Sequence, residues 1–176
     1  MKQVIDTNVI LVANGQHDDV SSDCIEICIL QLVEARKHVT VVDDGHRIIG
    51  EYLNKTKPNQ PKGPGDSFLK WLLQNRMNPS CVEVVEITEY SKDVFEEFPD
   101  ADLQNRFDPS DRKFIAVAHA HPDKPVLLQA ADCKWVDWWE RLSNFGLHVK
   151  FLFKQDVARF YTRKFPERNM PSILGE

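Results

Sequence analysis

Lys2-Gln3-Val4-Ile5-Asp6-Thr7-Asn8 opens the chain on a short apolar run that ends in a carboxylate and two further polar residues. Residues 2–6 read as a strand, which leaves Asp6 at its carboxyl end. In an open α/β sheet that position borders the crevice where such folds bind ligands. A bare carboxylate there suits a metal ion or a phosphoryl group.

Outward from this stretch, strand and helix patterns alternate. The β-branched run 38–42 predicts a second strand, and residues 82–87, 125–128 and 147–153 predict three more. A helix is expected from Asp23, with Glu26 three residues on and Ile25, Cys28, Ile29 and Leu32 in an apolar stripe. Another, capped by Asp43 or Asp44, carries Ile48, Ile49 and Tyr52. Residues 55–65 hold three Pro and two Gly and read as a loop. Residues 67–74 and 90–98 predict helices, and Asp108-Pro109 is a strong start for a helix bearing Phe114, Ile115, Val117 and Ala118. Helices over 135–142 and 155–161 complete the pattern. Strands separated by helices imply a mainly parallel sheet covered on both faces. The expected fold is therefore a single three-layer α/β/α domain over 1–153, with 154–176 adding a helix and polar tail to the same domain.

Composition bounds the function. The 176 residues suffice for one domain with a real core. A hydrophobic fraction of 42% with ten Phe belongs to a soluble globular protein. No apolar stretch approaches the ~20 residues of a membrane span. The direct entry into a strand leaves no room for a cleavable signal, so a cytoplasmic location is expected. Cys24, Cys28, Cys81 and Cys133 form no Cys-x-x-Cys pair and read as free thiols. The net charge of −5 argues neither for nor against a polyanionic partner.

Four acids carry the chemistry. Asp6 and Asp132 follow strands, Asp111 stands in the first turn of a helix, and Glu51 lies about two turns into another. In a parallel sheet all four can converge on the carboxyl edge. Converging carboxylates repel, and a divalent ion removes that repulsion. An all-oxygen set suits Mg²⁺ or Mn²⁺ rather than zinc. Each acid also has an ordinary structural role open to it: Asp6 as a turn residue, Glu51 as a solvated helix position, Asp111 in a capping box with Asp108, and Asp132 as a helix cap. No P-loop is present, and Asn8 stands where a haloacid-dehalogenase-type phosphotransferase needs a second Asp. His119 and His121 read as groups at a helix end rather than ligands.

The set resembles PIN-domain nucleases. Val4-Ile-Asp-Thr-Asn-Val-Ile10 is similar to their opening, residues 39–52 ending in Gly50-Glu51-Tyr52 to the segment with their second acid, and Asp111-Arg-Lys-Phe-Ile-Ala-Val-Ala118 to their third-acid helix. Val126-Leu-Leu-Gln-Ala-Ala-Asp132 resembles the strand that delivers the fourth. The likeness spans residues 2–153. It departs at Ala130, where Thr or Ser is common, and at Lys134, where many members carry another acid; Asp137, one turn on, is the candidate replacement.

The resemblance implies a nuclease with one or two Mg²⁺ or Mn²⁺ ions held by Asp6, Glu51, Asp111 and Asp132, with Asp137 as a further candidate. Its substrate would be RNA, or alternatively single-stranded DNA, and its products would bear a 5′-phosphate and a 3′-hydroxyl. Thr7 and Asn8 are expected to orient the first carboxylate and the phosphate. Arg112, Lys113 and Lys134 are expected to grip substrate, with Lys154, Arg159, Arg163, Lys164 and Arg168 around Phe160 and Tyr161 as a further basic-aromatic segment. Small PIN proteins are commonly toxins of toxin–antitoxin pairs, which implies a homo-oligomer and an antitoxin or other regulatory partner. A defence or RNA-processing nuclease fits the same residues. The alternative class is a PIN-fold scaffold with weakened catalysis.

Overall fold

The computed structural model describes residues 1–173, so the last three residues of the predicted tail lie outside the described residues. β1 (Lys2–Ile5) leads into α1 (Thr7–Ala13), and α2 (Ser22–Ala35) returns the chain to β2 (Val39–Asp43). α3 (Arg47–Lys55) and α4 (Pro64–Gln74) precede β3 (Val82–Val85). A hairpin of β4 (Glu89–Ser91) and β5 (Val94–Phe95) follows, then α5 (Ala101–Arg106), a 3-10 turn at Pro109–Asp111 and α6 (Arg112–Ala120). β6 (Val126–Gln129), a 3-10 turn at Cys133–Asp137, α7 (Trp139–Ser143), β7 (Val149–Phe151) and α8 (Lys154–Lys164) complete the described chain.

The five strands of the main sheet run parallel in the order β3-β2-β1-β6-β7, flanked by helices in a three-layer α/β/α arrangement. β1 is central because Val4 and Ile5 have no polar face to offer water; both are wholly buried. It pairs with β6 through Val4↔Leu127 and Ile5↔Leu128 and with β2 through Gln3↔Thr40. α1 packs with α2 and α4, while α6 packs across β1, β2 and β6. The strand order reverses direction between β1 and β6, so the crevice of this fold opens at the carboxyl ends of those two strands.

Three local expectations change. Residues 90–98 form the β4–β5 hairpin, not a helix: Asp93 takes a left-handed φ of 55° that reverses the chain, and the Gln104 side chain bonds both backbone groups of Phe95, at 2.7 and 3.1 Å. The cap of α2 is Ser21, whose hydroxyl accepts from the Cys24 amide at 3.2 Å, so Asp23 falls in the first turn. Residues 135–142 divide between a 3-10 turn and α7. All four cysteines are free. No helix among the described residues is long and apolar enough to cross a membrane.

The 56–63 loop is tied down by one buried carboxylate. Asp66 accepts from the Lys57, Lys62 and Gly63 amides at 3.0, 3.0 and 3.3 Å and from the Asn14 side chain at 3.0 Å. These donors hold its carboxyl below the usual range although burial works the other way. Asn14 in turn accepts from the Gly65 and Asp66 amides, clamping α1 to α4. The helices meet so closely that a Cβ on Gly65 would lie 2.4 Å from the Ile10 carbonyl oxygen. Gly65→Ala is therefore expected to destabilise the protein by about 1–3 kcal/mol. A urea titration checks this as a lower midpoint at unchanged m-value.

Candidate active site

Asp6 caps α1: its Oδ1 accepts from the Asn8 amide at 2.7 Å, and its own amide donates to the Leu128 carbonyl at 3.0 Å. The residue is thus fixed to both β1 and β6, and it is only 6% exposed. Asn8 extends the link, its Oδ1 accepting from the Ala131 amide at 2.9 Å, one residue before Asp132. Asp132 then caps the 3-10 turn through the Lys134 amide at 2.9 Å. On the other side, the buried Tyr52 hydroxyl donates to the Ile5 carbonyl, which holds α3, and with it Glu51, against the end of β1. Burial first, then the charge of Asp6, holds the Tyr52 phenol well above its ordinary pKa, so it remains a donor.

Asp111 arrives by a different route. A helix leading to a parallel strand runs against the sheet, so the first turn of α6 lies at the carboxyl edge. Asp111 stands there, its Oδ1 accepting from Ser110 Oγ at 3.2 Å and its Oδ2 buried without a hydrogen-bond partner.

The acids share one electrostatic field. Burial and then the charge of Asp111, with Asp132 and Glu51 adding to it, raise the Asp6 carboxyl well above its ordinary value; the Asn8 amide opposes this. Burial and the charge of Asp132 push Asp111 up to about 6, against the pull of Lys134. Two ammonium groups answer part of the charge. Lys113 Nζ lies 2.5 Å from Glu51 Oε2 and also donates to the Ser110 carbonyl. Lys134 Nζ pairs with Asp108 and lies 3.5 Å from Asp132 Oδ2. Among the described residues no three His, Cys, Asp or Glu side chains close into a group that could by itself hold a metal ion.

Most of the other expected site residues are engaged by the protein's own groups. Arg112, expected to grip substrate, is only 8% exposed, and its guanidinium donates to the Phe107 and Asp93 carbonyls. Position 112 faces the framework because it lies one residue, about 100° of helix, from Asp111. Lys113 is buried in its ion pair with Glu51 rather than presented to solvent. Asp137, the candidate replacement ligand, accepts from the Tyr161 hydroxyl at 2.6 Å and from Arg168 at 3.3 Å, and it lines a cavity of about 310 Å³ together with Asp108, Asp111 and Lys134. The Thr7 hydroxyl is buried without a partner. His121 is buried and paired with Glu83, away from the acids.

A cavity of about 510 Å³ adjoins Asp132 and Lys134 and is lined by Asn8, His17, Phe160, Arg163 and Lys164. His17 lies against the Phe160 ring at 5.7 Å, and the Arg159 and Arg163 guanidinium groups stand over it at 4.9 and 5.2 Å. Asp108 and His17 were not singled out as site residues by the sequence. Asp108 reads as a cap, which it is, accepting from the Ser110 amide at 3.2 Å. His17 has no motif and reaches Phe160 only through the fold.

No protein-family model, curated protein or solved structure matches the chain.

A carboxyl raised by folding binds its proton more tightly in the native state, so its contribution falls as pH rises from about 4 through 6. Asp111→Asn is expected to stabilise the metal-free protein above pH 6, by at most about 3 kcal/mol, with the gain vanishing below pH 4. Thermal unfolding with a chelator across pH 4–8 measures it.

Proposed function

We propose that the chain is a divalent-metal-dependent endonuclease that hydrolyses phosphodiester bonds, with RNA as the favoured substrate. One observation carries the reading: four carboxylates from separate parts of the chain share a field at the carboxyl edge of β1 and β6, and one of their oxygens, Asp111 Oδ2, is buried without a partner. An orphaned anionic oxygen is costly unless a cation completes it. The donor set is all oxygen, as Mg²⁺ or Mn²⁺ prefers, and the PIN-like motifs fall on the same residues.

Asp6, Asp111 and Asp132, with Glu51 alongside, would hold the ion, which supplies charge neutralisation at the scissile phosphate and an activated water. The chain's own groups do the rest. Tyr52, Asn8 and the Leu128 carbonyl fix the carboxylates to the sheet, so little reorganisation accompanies binding. The cavity beside Asp132 offers Lys164 and Arg163 to a phosphate backbone and His17 with Phe160 to a base, a combination suited to single strands.

A scaffold without catalysis is the second reading, and the Lys113–Glu51 and Lys134–Asp132 pairs favour it because they answer acidic charge without a metal.

Asp6→Asn is expected to cut Mn²⁺-dependent cleavage of a labelled RNA by at least about 100-fold, since loss of even a group that only supports a metal ligand costs roughly 10–100-fold, with the fold intact by circular dichroism. Unchanged turnover in that variant decides for a contaminant or another mechanism. In the same assay format, Arg163→Ala with Lys164→Ala should weaken single-strand binding and reduce the salt slope by roughly 0.7 per cation removed. A slope equal to wild type would place the strand elsewhere.

A further inference from the structure

We propose that Lys134 is a resident cation of the acidic site: its ammonium group serves Asp108 and Asp132 in place of a second divalent ion, so the site takes one Mg²⁺ or Mn²⁺ per chain. The inference rests on the metal-dependent reading above.

The position of Lys134 is set at both ends of its side chain. Its amide is held by Asp132 Oδ1 at 2.9 Å, and its Nζ folds back to within 3.5 Å of Oδ2 on that same carboxylate. The ammonium group also pairs with Asp108, which comes from the turn before α6, 26 residues earlier. Asp108 is itself fixed by the Ser110 amide and hydroxyl, at 3.2 and 2.9 Å. One cation therefore bridges carboxylates from two segments. That is the geometric service a bridging metal ion performs, supplied here by a covalently tethered charge.

The remaining charge then divides cleanly. Lys113 answers Glu51, and Lys134 answers Asp108 and Asp132. Among the described residues, Asp6 and Asp111 have no ion-pair partner within 4 Å, although Asp6 is only 6% exposed and Asp111 Oδ2 is buried and unpartnered. The unanswered pair is where a single divalent ion would be stabilised most. Lys134 acts as a positioning residue: it holds Asp132 in place beside that pair and lowers the charge that a second ion would need to neutralise.

Counting bound Mn²⁺ on the full chain, by the electron paramagnetic resonance signal of the free ion, tests this without reference to activity. Wild type and Lys134→Arg are expected to saturate at one Mn²⁺ per chain. Lys134→Met, which keeps the length and removes the charge, is expected to take a second, because Asp108 and Asp132 are left facing each other. Two ions on wild type, or one on a folded Lys134→Met, would overturn the role given to Lys134 and leave the metal-dependent reading standing. No saturable Mn²⁺ on wild type would overturn that reading itself. Should Lys134→Met not fold, Lys134→Gln takes its place with the same two outcomes: a second Mn²⁺ upholds the inference, and one overturns it.

Discussion

Repulsion among like charges is the constraint that organises one edge of this molecule. Asp6, Glu51, Asp111 and Asp132 are brought within each other's field by a parallel sheet and the helices around it. At an effective dielectric near 20, two unit charges 4 Å apart interact by about 4 kcal/mol, which approaches the net stability of a small domain. A protein can meet such a cost by holding protons, by supplying cations or by binding them. This one combines the first two. Burial, with the neighbouring negative charges adding to it, raises Asp111 to about 6 and Asp6 well above its ordinary value, while Lys113 and Lys134 stand against the more exposed acids.

The framework that sustains this strain lies in the backbone. Asp6 is anchored by its own amide to β6, Asn8 ties α1 to the segment after β6, and Tyr52 ties α3 to the last carbonyl of β1. None of these bonds involves the site's charge. They are supported by wholly buried side chains such as Val4, Ile5, Ile48 and Phe114, so that the carboxylates cannot escape one another by a local shift of the chain. The clamp of Asn14 and Asp66 does the same for α1 from the opposite end of that helix.

How much of this was legible in the sequence follows the range of the interactions. The apolar run before Asp6 and the β-branched run before Asp43 each announce a strand, because a central parallel strand needs little beyond its own side chains. The Asp108-Pro109 start of α6 is likewise written locally. The hairpin at 89–95 was not legible, since it depends on Gln104 satisfying Phe95 from another element. The fate of Arg112 is of the same kind, since a basic residue beside an acid reads as a substrate contact until the Phe107 and Asp93 carbonyls claim it, and the Tyr161 bond to Asp137 likewise spans 24 residues with no local sign. The bridge from Lys134 to Asp108 has no local signature at all, because each residue taken alone looks like an ordinary cap or surface charge.

The same accounting bears on how an acidic chain could receive a polyanion. Of the cations near the cavity, Arg163 is paired with Asp19 at 2.9 Å, Arg159 with Asp156 at 2.8 Å and Lys134 with Asp108. The positive surface there is thus partly answered before any substrate arrives. Beside it, Asp6 and Asp111 would repel a phosphate once they are ionised. A divalent cation bound beside those two carboxylates would cancel their two negative charges and remove that repulsion. On the proposed reading, cation and phosphodiester binding would then favour each other, and by linkage each would raise the affinity for the other by the same factor. The site would in this way be closed to nucleic acid until it is loaded, a selectivity that follows from where the two unpaired carboxylates sit and needs no moving part.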